Sequence, residues 1–210
     1  MPETRDDSTI ITNERHQSVE RLAFRQEQVK LLFGQLNLIY LADFLAGTFL
    51  FFLLITSSNS ISGYSWYAVL VFSTAVRATL AKRQKSEGLD EASLKKNLFF
   101  LVSGAVWSGL IWGFSWALLP VNPSFLQLAA IGLWLAGMLA GAATTMSVIK
   151  EVFLGFVTPT AIVFLSYSVF TRAEDNLIMA SGFILYLGFI IPIAMRIGSD
   201  FNRTRRLHRR

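Results

Sequence analysis

The chain of 210 residues has no cysteine and only two histidines, His16 and His208. Without cysteine there are no disulfides and no thiolate metal sites. The histidines lie far apart in polar terminal segments, and the carboxylates do not cluster. HExxH, GxSxG and a phosphate-cradling glycine loop are all missing. The residues present therefore offer no catalytic, metal or cofactor site, whatever a longer parent polypeptide carries. Charge is scarcer still in one place: residues 97–149 contain no Asp, Glu, Lys or Arg. That run is longer than any soluble core helix and fits successive membrane spans.

What is present points the same way. Hydrophobic residues make up 53% of the chain and charged residues 16%. About 35 mostly polar residues precede the first apolar segment, which argues against a cleavable signal peptide. Six apolar segments follow, at 35–56, 64–81, 97–119, 124–145, 149–170 and 177–195. A 20-residue helix is about 30 Å long, the thickness of the hydrocarbon layer. The second segment is short and contains Arg77. The expected fold class is all-α: an integral membrane bundle of six transmembrane helices (35–195), an N-terminal segment with an amphipathic helix (1–34) and a basic helical tail (196–210).

The net charge of +5 is distributed as topology requires, not as nucleic-acid binding would. Basic residues crowd the N-terminal segment, the second connection (Lys82, Arg83, Lys85, Lys95, Lys96), the fourth (Lys150) and the tail. The first and third connections, around "SSNSIS" and "PVNPSF", carry none, and the fifth has only Arg172. Seventeen basic residues thus fall on one side and one on the other, with Arg77 inside a span. Cationic residues resist translocation, so both termini are expected in the cytoplasm. The outer connections leave no room for a sizeable domain. A stimulus must be small, soluble in the membrane, or derived from it.

Within residues 14–36, Val19, Leu22, Val29, Phe33 and Leu36 follow a seven-residue repeat in which position 26 is Gln. Such a stripe suits a helix lying on the membrane or pairing with a partner helix. The tail arginines would attract anionic headgroups.

Four sets of residues inside the spans call for explanation. Asp43 and Arg77 sit at depths about 6 Å apart, so they form a candidate ion pair between neighbouring helices; the bland alternative is a snorkelling arginine and a protonated aspartate. Gly109 and Gly113, and Gly137 and Gly141, are spaced for close helix packing, against each other or a second copy. Trp107 and Trp112 are candidates for a pocket taking an apolar or cyclic ligand, or simply for packing, while Trp116 suits an interfacial belt. Pro159 and Pro192 remove backbone donors and kink their helices. With Gly198, Pro192 is a candidate hinge where the tail begins.

Three stretches, "FLVSGAVWSGLIWG" (100–113), "LAGMLAGAATTMSVIKEVFLGFVTPT" (135–160) and "RTRRLHR" (203–209), resemble the six-helix N-terminal membrane region of bacterial sensor proteins. Those proteins are mainly GGDEF diguanylate cyclases, with some hybrid histidine kinases. The resemblance implies a sensory input module in the bacterial inner membrane, working as a homodimer. Its tail would lead to a cytoplasmic output domain, in cis or supplied by a partner in trans. No GGDEF, kinase or EAL signature occurs in the chain, so the resemblance brings no catalytic residue with it. A small transporter or channel, with Asp43 and Arg77 on its path, and a membrane scaffold are the alternative readings.

Overall fold

The computed structural model describes residues 7–55, 60–84, 91–119, 124–171 and 174–207. The uncharged connections at 56–59 and 120–123, and the last residues of the basic tail with His208, lie outside them. Six α-helices and no strand occur among the described residues: α1 (Asp7–Ile55), α2 (Ser60–Gln84), α3 (Glu91–Phe114), α4 (Phe125–Thr145), α5 (Lys150–Thr171) and α6 (Glu174–Leu207). A 3₁₀ turn, Ser115–Leu118, extends α3. α3 packs on α5, α1 on α2, and α4 on α6, while α5 also touches α6 and α1 touches α3 and α4.

Local chemistry fixes several helix ends. α4 opens with a capping box: the Gln127 amide donates to Ser124 Oγ (3.3 Å), and the Ser124 amide donates to Gln127 Oε1 (2.8 Å). Neither Pro159 nor Pro192 ends its helix. Just past Pro159, the Thr160 hydroxyl lies 2.8 Å from the Phe156 carbonyl and 3.0 Å from the Gly109 carbonyl of α3.

Five helices, α1 and α3 to α6, are long and apolar enough to cross a membrane. α2 falls short by that measure, because Arg77 interrupts its apolar stretch and Lys82 and Arg83 close it. Its faces are nevertheless arranged inside out relative to a helix in water. Phe72, Val76 and Leu80 point outward, while Trp66, Leu70 and Ser73 are buried and the Arg77 side chain is only 12% exposed. Large apolar side chains cover the outside of the bundle throughout, as at Phe99, Leu133 and Phe170.

The N-terminal segment and the first apolar segment, divided near residue 34 by composition, are carried on one continuous helix. α1 is one helix of 49 residues, roughly 74 Å long. Of its apolar stripe, Leu22 packs on the core, and Val29, Phe33 and Leu36 are buried in it. The bundle itself covers that stripe as far as it is described; the Val19 side chain lies outside the described residues.

The glycine pairs part company. A Cβ on Gly109 would collide with the Phe156 carbonyl oxygen, and one on Gly113 would stand 2.9 Å from Val163 Cβ and 3.2 Å from Thr160 Cα. Both therefore serve the α3–α5 seam. Gly137 and Gly141 face outward with nothing within 4 Å of where a Cβ would be. The two ladders do not meet, because α4 turns its larger residues, Ile131, Leu135 and Leu139, to the core.

Candidate functional site

Asp43 is one of the buried series on α1, in register with Tyr40, one turn before it, and Gly47, one turn after. Gly47 brings α2 close, since a Cβ there would press to 2.8 Å on a Leu70 methyl. That approach sets Arg77, two turns on from Leu70, beside the carboxylate. Arg77 Nη1 lies 3.7 Å from Asp43 Oδ2, an ion-pair distance longer than a direct hydrogen bond.

The carboxylate receives its hydrogen bonds from α3 instead. Trp112 Nε1 donates to Oδ1 at 3.3 Å and Ser108 Oγ donates to Oδ2 at 3.4 Å. Ser108 and Trp112 are one turn apart, so a single face of α3 presents both donors. Asp43 is only 4% exposed. A carboxylate that deep is tolerable only when charge and hydrogen bonds compensate its lost hydration. Here one cation and two donors from two other helices oppose that loss.

The guanidinium is supported on its other face by Tyr40, whose ring centroid is 5.2 Å from the Arg77 central carbon. Gly104 of α3 leaves room beside it, for a Cβ there would sit 3.3 Å from Arg77 Nε. That Nε is buried with no hydrogen-bond partner. Next to it is a cavity of about 10 Å³, room for about one water, lined by Tyr40, Arg77 and Gly104 among apolar side chains. Trp66 closes the cluster from α2: its Nε1 donates to the Ile111 carbonyl (2.8 Å), and its ring meets Trp112 edge-on at 5.8 Å.

Among the residues singled out by sequence, the structure brings Asp43, Arg77 and Trp112 together. Trp107 is not with them: five positions from Trp112, it faces outward at 50% exposure, so the two indoles line no common pocket. Trp116 is wholly buried on Phe164 (centroids 4.4 Å apart) rather than placed in an interfacial belt. Pro159, Pro192 and Gly198 lie within unbroken helices. Gly198 is a contact point, not a free joint, because a Cβ there would strike the Ser147 carbonyl oxygen. Sequence reasoning missed Tyr40, Ser108 and Gly104. The available signal was register: Tyr40 is one turn from Asp43, and Ser108 one turn from Trp112.

Among the described residues, no group of three His, Asp or Glu side chains gathers to hold a metal ion. The cluster has a different capacity. It links α1, α2 and α3 through a compensated buried charge, so displacing any of the three helices changes the electrostatic fit of the other two. Set against known proteins, the chain matches no family model, no curated protein and no solved structure.

Proposed function

We propose that the chain is a transmembrane sensory or regulatory input module of the bacterial inner membrane. It crosses six times, has both termini in the cytoplasm, works as a homodimer, and transmits a change in helix packing through its basic tail to a cytoplasmic output domain of the diguanylate cyclase or kinase type. The observation that carries this reading is α6. It runs as one helix of 34 residues, roughly 51 Å, from Glu174 at the fifth connection through the apolar segment into the arginine-rich stretch, with no break where the apolar part ends. A continuous helix transfers displacement or rotation where a flexible linker would not.

Two further features support it. The inside-out faces of α2 support reading it as a sixth crossing despite its low hydropathy, and an even count agrees with the basic residues gathered on one side. The three-helix polar cluster is an element whose balance a stimulus can shift, provided the stimulus favours one arrangement over the other. The resemblance to the membrane regions of GGDEF proteins supplies the output class.

The test joins a diguanylate cyclase domain in frame after Arg210, with cyclic dinucleotide production as readout. Asp43→Asn is expected to change production several-fold, while Phe72→Leu on the outer surface is not. Equal output from both variants and the parent would remove the sensory role. Reporter fusions placing residues 1 and 210 on opposite sides of the membrane would remove the topology.

A further inference from the structure

The connection between α4 and α5 is short and tightly bonded. Four residues, Met146–Ile149, separate the helices. They are stitched by amide-to-carbonyl bonds Met146 to Ala142 (2.8 Å), Ile149 to Met146 (3.1 Å) and Val152 to Ile149 (3.0 Å). Met146, Ser147, Ile149 and Val152 are all buried. Such a turn moves as a unit with the helices it joins, because it has no slack to absorb a displacement.

Two distant parts of the chain hold it from different directions. From α1, Gln28 Nε2 donates to the Val148 carbonyl at 2.9 Å, and Arg25 pairs with Glu151 at 3.2 Å. From α6, Gly198 lies so close over Ser147 that any side chain would meet the Ser147 carbonyl oxygen. Ser147 Oγ is buried there without a hydrogen-bond partner, so α6 covers a polar group that water would otherwise reach. Beneath the turn, Met146 and Val152 border the small cavity whose wall includes Arg77. The turn thus stands between α1, α6 and the Asp43–Arg77 cluster.

We propose that the α4–α5 turn is a mechanical coupler: it ties the course of α6, where that helix leaves the apolar bundle, to the position of the basic end of α1. Gly198 is the α6 contact, and Gln28, reinforced by Arg25, is the α1 contact. A shift of α1 along or around its axis pulls the Val148 carbonyl, carries Ser147 with it and moves the surface on which α6 rests. The cavity beside the turn is water-sized, and packing this close passes small movements on to α6 instead of absorbing them. This coupling concerns the chain's own geometry and holds whatever the tail drives.

The absence of cysteine allows a direct test in the full chain. Spin labels are placed on Lys150→Cys, beside the turn, and Ser199→Cys, on the exposed side of α6, and their separation is measured by pulsed electron paramagnetic resonance in lipid nanodiscs. Gly198→Ala is expected to move the distribution to longer distance. Gln28→Ala, which removes the hydrogen bond to the Val148 carbonyl from α1, is expected to move or broaden it too, with Arg25→Ala acting in the same sense. Ser181→Ala, elsewhere on α6, serves as the control and leaves the distribution in place. A distribution unchanged by Gln28→Ala but displaced by Gly198→Ala would mean two independent contacts and overturn the coupling. A distribution unchanged by both would overturn the contact itself. Should Gly198→Ala fail to fold, the Gln28→Ala result alone decides. Because no output activity is read, failure here is distinguishable from failure of the sensory role.

Discussion

Two seams of the bundle solve the same problem in opposite ways. Between α3 and α5, Gly109, Gly113 and Thr160 let two backbones touch, and the Thr160 hydroxyl reaches across to the Gly109 carbonyl. Among α1, α2 and α3, the helices are joined by a buried ion pair with two donors and a supporting ring. Where there is little water, helices gain little from hiding apolar surface from it, so they associate by close packing or by polar contacts. The first seam is intolerant of added volume. The second is intolerant of lost charge, and its geometry depends on three helices at once. A seam that can be unbalanced by a small electrostatic change is the better place for a signal to enter.

The largest expected effect lies in the polar seam. Asp43→Ala leaves Arg77 buried without its counter-ion and should cost about 3–5 kcal/mol. Unfolding in mixed micelles measures it. Combining Asp43→Leu with Arg77→Met removes both charges and should recover most of that loss. A double variant as unstable as Asp43→Ala would show that the ion pair is not what joins these helices. Next comes the packed seam: Gly109→Ala drives a methyl group into the Phe156 carbonyl, a backbone atom that cannot swing aside, and should cost about 1–3 kcal/mol. If Gly109→Ala unfolds at the parent's denaturant concentration, the two backbones are not in contact.

Smaller changes sharpen the contrast. Thr160→Val removes the hydroxyl between α3 and α5 and should cost roughly 0.6 kcal/mol, the average for such bonds between membrane helices. Gly137→Ala and Gly141→Ala should change the unfolding of the single chain by less than about 0.5 kcal/mol, since nothing faces either position. If they instead alter self-association in cross-linking, the second glycine ladder belongs to a contact between copies.

Much of this was legible from the chain alone. Charge-free stretches marked the helices, and the depths of Asp43 and Arg77 suggested that they are neighbours. Register along α1 and α3 was present too, though Tyr40 and Ser108 were overlooked because neither is unusual by itself. The glycines were harder. GLIWG and GMLAG have the same spacing, yet one is pressed against α5 and the other is exposed. Spacing states that a face is smooth, not what covers it. Gly198 shows the same limit, since a glycine in a helix is read as a weak point until a carbonyl is found against it. Heptad spacing along the start of α1 likewise suggested an amphipathic helix for the membrane surface or a partner, and only the bundle could show that Val29 and Leu36 are covered within it.

The sequence by itself determined an all-helical, apolar chain with its basic residues gathered at one set of connections, because composition and periodicity act locally and need no knowledge of neighbours. Only the tertiary structure decided which faces meet: that α3 chooses α5, that Asp43 takes its hydrogen bonds from Ser108 and Trp112, and that Gly198 rests on Ser147. Those choices depend on the summed fit of side chains from segments far apart in sequence, which no single stretch encodes.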